Sequence, residues 1–92
     1  MTATLADAER VLVEHGHRVF PGRGNSFTAS IVRGASNVTT AGIGVLDART
    51  FDVEGHVDGS WIVAERRHGG VAVGEPMRFA SLDEAVTWLL GA

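Results

Sequence analysis

Met77-Arg78-Phe79-Ala80-Ser81-Leu82-Asp83-Glu84-Ala85-Val86-Thr87-Trp88-Leu89-Leu90-Gly91 decides the fold: a short strand that feeds directly into a well-signalled helix. Ser81 and Glu84 form an S-x-x-E capping box, in which side chains satisfy amide hydrogens that the first helical turn leaves unpaired. The helix is therefore expected to start at Leu82. Leu82, Ala85, Val86 and Leu89 recur at helical spacing as one apolar stripe. Asp83, Glu84 and Thr87 face away from it, and Gly91 is the expected stop. A single stripe of this width needs a sheet to lie on.

The strands for that sheet lie upstream. Asp58-Gly59 marks a hairpin after Thr50 to Val57, where Phe51, Val53, Gly55 and Val57 share one face and Asp52, Glu54 and His56 the other. A two-residue turn would put Trp61 and Val63 on the acidic face. A three-residue loop, Val57 to Gly59 with Gly59 left-handed, sets Trp61 opposite Gly55 and Val63 opposite Val53, and the hydrophobic pattern selects this register. Trp61 to Arg67 continues to the turn His68-Gly69-Gly70. Val71 to Phe79 is the last strand, with Pro76 expected at an edge or a bulge because it cannot donate to a ladder.

Further back, Ser26 to Val32 alternates as a half-buried strand, with Phe27, Ala29 and Ile31 inward, and Arg33 to Asn37 reads as a loop. Val38 to Leu46 is a weaker strand interrupted by Gly42 and Gly44. His17 to Phe20 is a short strand closed by the turn formers Pro21 to Asn25. Thr4 to His15 is the first helix, with Leu5, Ala8, Val11 and Leu12 on one face, Thr4 as N-cap and Gly16 as stop. Residues 1–92 thus read as one α+β domain: an antiparallel meander sheet of about five to six strands with an N-terminal and a C-terminal helix packed on one face. This order resembles many small bacterial proteins of the adaptor, chaperone or toxin-immunity kind, a likeness of architecture that carries no residues over.

Composition bounds the function. A chain of 92 residues has room for a small core and little for a deep substrate pocket besides. Cysteine is absent, which removes disulfides, thiol catalysis and Cys-ligated zinc. No apolar run approaches the roughly 18 to 20 residues of a membrane span, and Met1 to Asp7 lacks a signal-peptide profile, so cytoplasm is the expected location. All eight basic residues are Arg, a bias expected of a GC-rich genome. Net charge is −3, and the acidity lies in Asp47 to Ala92, with four Arg against eight acids. That balance argues against nucleic acid, which calls for a basic face.

Two surface features stand out. Asp52, Glu54 and His56, with Asp58 at the turn, make an acidic strand face, and Trp88 at the edge of the helical stripe is a candidate aromatic anchor. Arg66-Arg67-His68-Gly69-Gly70 is the most basic stretch, where glycine amides beside guanidinium groups could cradle a phosphate or carboxylate. Gly22-Arg23-Gly24 and Gly42-Ile43-Gly44 complete neither a dinucleotide fingerprint nor a P-loop. His15, His17, His56 and His68 have no recognised metal-ligand spacing, and no nucleophile elbow is present. The expectation is a non-enzymatic module without cofactor or metal that docks a protein partner, a basic one, through its exposed sheet face. A homodimer is a further option for the partner. The alternative is an accessory domain that binds a small ligand or anion at Arg66 to Gly70.

Overall fold

The computed structural model describes residues 4–36, 45–67 and 70–92. Helix α1 (Leu5–Glu14) precedes five strands, β1 (Arg18–Pro21), β2 (Ser26–Ser36), β3 (Val45–Gly55), β4 (Trp61–Arg66) and β5 (Ala72–Phe79), and α2 (Leu82–Gly91) closes the chain. The strands form one antiparallel sheet in the order β1-β2-β3-β4-β5. The α+β meander with a helix at each end is as the sequence implies.

Both helices start where their caps place them. Thr4 Oγ1 accepts the Asp7 N–H at 3.2 Å, and Ser81 Oγ accepts the Glu84 N–H at 3.2 Å. The Glu84 carboxylate accepts from Ala80 N–H at 3.1 Å, one residue ahead of the N-cap. Each cap of this kind stabilises its helix by about 1 kcal/mol. Gly91 departs from the expectation: it is the last helical residue rather than a left-handed stop, and the Ala92 N–H closes on the Leu89 carbonyl at 3.1 Å.

The two apolar stripes meet the sheet on one side. Ala8 and Leu12 of α1 and Leu82, Ala85, Val86 and Leu89 of α2 are buried against Phe27, Ala29, Ile31, Phe51, Val53 and Val63. Edge-to-face contact between Phe51 and Trp88, with centroids 5.3 Å apart, and a looser stack of Phe79 on Trp88 at 6.1 Å seat the far end of α2. The turn after β3 has the expected register: Gly55 lies opposite Trp61, Val53 opposite Val63, and Gly59 has φ +88°. Asp58 locks that turn by accepting from the Ser60 N–H at 2.9 Å and the Ser60 hydroxyl at 2.6 Å.

Two expectations about strand extent are corrected. Arg33 to Asn37 was expected as a loop, yet β2 runs on to Ser36 because a bulge between Val32 and Gly34 absorbs the irregularity and the ladder to β3 resumes. The expected weak strand Val38 to Leu46 falls largely outside the described residues. Its last two residues, Val45 and Leu46, open β3, which continues unbroken into Thr50. Pro76 sits on edge strand β5 within a register shift that also takes in Gly74 and Glu75, as a residue without an N–H requires.

Candidate partner-binding face

The face of the sheet away from the helices carries a regular grid of side chains. One row across the strands is Phe20, Thr28, Asp52 and Ala64; the row on one side of it is Arg18, Ser30, Thr50 and Arg66. On the other side stand Ser26, Glu54, Ile62 and Arg78. Alternation puts these residues outward because their neighbours Val19, Phe27, Ala29, Phe51, Val53 and Val63 pack inward. Neither helix covers this face.

The acidic row is only partly free. Asp52 Oδ1 accepts from Thr28 Oγ1 at 2.9 Å and Oδ2 from Arg66 Nε at 3.0 Å. Asp58 is committed to its own turn and to Arg78. The Ser60 hydroxyl and amide hold the Asp58 carboxyl below the usual carboxylate range. Glu54 is exposed and makes no hydrogen bond or ion pair among the described residues. His56 is exposed at the hairpin end of the same strand, its backbone N–H donating to the Ser60 carbonyl at 2.8 Å.

Trp88 lies elsewhere. It is half-buried between Phe51 and Phe79 on the helix-bearing side, opposite the acidic row, so one flat partner surface cannot take in both. The aromatic on the face of Asp52 and Glu54 is Phe20, which is 54% exposed and lies in the row of Asp52 with Thr28 between them. Its signal was in the alternation of the first strand: with Val19 inward, Phe20 must point out. A shallow depression of about 390 Å³ opens on this face, lined by Arg23, Asn25, Ser26, Thr28, Asp52 and Glu54.

The basic turn is also less free than its sequence suggests. The Arg66 guanidinium is held by Asp52, so the acidic strand and the basic stretch are joined by an ion pair rather than being rival surfaces. The Gly70 N–H donates to the Arg67 carbonyl at 2.9 Å, closing the turn, and is not turned toward a ligand. Arg67 is exposed; His68 and Gly69 lie outside the described residues. A second open depression, of about 460 Å³, is bounded by Thr50, Arg66 and Arg67 on one side and by Arg49 and Glu65 on the other.

Arg49 and Glu65 belong to the helix-bearing side. They form a bidentate pair, Nε to Oε2 at 2.9 Å and Nη2 to Oε1 at 2.7 Å, with the guanidinium also 5.1 Å above the Phe51 ring. The pairing lowers the Glu65 pKa and raises that of Arg49. Among the described residues no group of three or more His, Asp or Glu comes together in a way that could hold a metal ion, and no helix is long and apolar enough to cross a membrane. No family model, curated protein or solved structure matches this chain.

Proposed function

We propose that the chain is a non-enzymatic, cytoplasmic protein-binding module that docks a basic protein partner on the uncovered face of its sheet. The observation that supports this reading is the presence, on one face, of an exposed aromatic and an unpaired carboxylate: Phe20 shares a cross-strand row with Thr28 and Asp52, and Glu54, in the next row, lines the depression with Thr28 and Asp52. An aromatic anchor beside a free acid is the combination that gives both burial and charge selection at an interface. Asp52 acts here through its ties to Thr28 and Arg66, as the fixed centre of the face.

The anion-binding alternative rests on the depression beside Thr50, Arg66 and Arg67. It has less to draw on, because Asp52 already occupies Arg66 and the Gly70 amide is used within the turn. Charge reversal at Asp52 would break the Asp52–Arg66 pair and so disturb both surfaces at once. The discriminating variants are therefore Phe20→Ala, Glu54→Arg and Arg67→Ala, each checked for folding by circular dichroism. Immobilised wild-type protein captures its partner from a lysate of the source organism, and the variants are compared for that same partner. Loss with Phe20→Ala and Glu54→Arg but not with Arg67→Ala is expected. Loss with Arg67→Ala alone would overturn the reading.

A further inference from the structure

The ladder between β1 and β2 stops at the pair Arg18 and Ser30, because the chain ahead of β1 turns away into α1. The turn is a helix stop in which Gly16, at φ +85°, donates to the Val13 carbonyl and the His17 N–H to the Leu12 carbonyl, both at 3.0 Å. Among the described residues no backbone carbonyl meets the next outward N–H of β2, that of Val32. The His17 imidazole meets it instead: Val32 N–H donates to Nδ1 at 3.1 Å. A ring nitrogen accepts only without its proton, so His17 must be neutral with its hydrogen on Nε2. His15 has the opposite requirement, since its Nδ1 lies 2.7 Å from the Val11 carbonyl and has to carry the hydrogen.

We propose that His17 is an acid-opened clasp between the end of α1 and the free edge of β2. Protonation turns the acceptor into a donor facing a donor, and the contact breaks. Val32 N–H is then released on the β1 side of β2, where no described strand pairs with it beyond Ser30, an edge open to pairing. The surroundings oppose the charge. Partial burial, then the nearby His15, holds the His17 pKa below its ordinary 6.5. Arg18 points to the other face of the sheet, and the described side chains of β2 at this place, Ser30, Ile31 and Val32, carry no charge. The unfolded chain takes up the proton below about pH 6.5 while the folded chain resists it, so the contribution is whole above that pH and is lost as pH falls through the folded value.

The test is nuclear magnetic resonance on the whole chain. Imidazole nitrogen shifts at pH 7.5 should show His17 with its proton on Nε2. Exchange of the Val32 amide, corrected for the intrinsic pH dependence and referred to the core amide of Val53, should speed up by about tenfold between pH 7.5 and 5.5, the equivalent of one hydrogen bond. His17→Asn, whose amide oxygen accepts without titrating, should stay protected at both pH values, and His17→Ala should exchange fast at both. His15→Asn should behave as wild type in keeping the switch. A proton on Nδ1 of His17 at pH 7.5, or the same acid acceleration in His17→Asn, would overturn the proposal. Should His17→Ala not fold, the wild-type tautomer and the His17→Asn comparison decide.

Discussion

Gly55 leaves its side-chain space to Trp61. A Cβ built there would stand 2.8 Å from the indole Cη2 and 2.9 Å from Cζ2, closer than carbon atoms pack. The indole is half-buried across the hairpin from Gly55, one pair beyond Val53 and Val63. Two effects compete at this position. Alanine stiffens a strand relative to glycine, which favours the substitution by up to about 1 kcal/mol, whereas overpacking a fixed ring costs roughly 1 to 3 kcal/mol. The contact is with the body of a ring and not the end of a flexible chain, so the cost should prevail. Gly55→Ala is expected to lower the urea midpoint. A midpoint that is equal or higher would mean the indole swings aside and the register owes nothing to this glycine.

At the scale of elements, the bidentate pair Arg49–Glu65 spans β3 and β4 on the helix-bearing side, beyond the pairs that α2 covers most fully. Hydrogen bonds from Arg49 keep the Glu65 pKa below its ordinary 4.5. A depressed carboxylate contributes stability that is present above the unfolded pKa and is lost as pH falls through the folded one. Glu65→Gln should therefore be less stable than wild type at neutral pH, with the gap narrowing at a pH well below the ordinary 4.5. Thermal midpoints at both pH values measure it, and a constant gap would assign the loss to packing instead. How far the sequence revealed these elements follows from the range of each signal. Ser81, Glu84 and the stripe of α2 act within one helix, and Phe51, Val53, Trp61 and Val63 act within one hairpin, so both could be read directly. The extension of β2 to Ser36 could not, because the bulge at Val32 and Gly34 breaks the alternation that marks a strand. The tie between Asp52 and Arg66 was within reach. The register that sets Gly55 against Trp61 also sets Thr50 against Arg66, one diagonal step from Asp52. Trp88 was not, since its position at the edge of a stripe does not say whether Phe51 and Phe79 will enclose it.

For the whole molecule, shape and charge act together. The long dimension is 50 Å against 27 and 22 Å, and β2 and β3 pair with each other for five positions past the last partners on β1 and β4. Such a body presents one broad uncovered face and carries a net charge of −3. On the proposed reading a basic partner would be drawn to it from a distance, whereas Phe20 would act only on contact. The two groups should therefore affect different steps of binding. Glu54→Arg should slow association and flatten its dependence on salt, since an exposed charge is screened beyond a Debye length of about 8 Å at physiological ionic strength. Phe20→Ala should leave association nearly unchanged and speed dissociation, as the loss of a desolvated anchor does. Surface plasmon resonance with the captured partner, run at low and at physiological salt, separates the two rates. An association rate that is indifferent to salt, with Glu54→Arg unchanged, would remove electrostatic selection from the mechanism and leave Phe20 to hold the partner by burial alone.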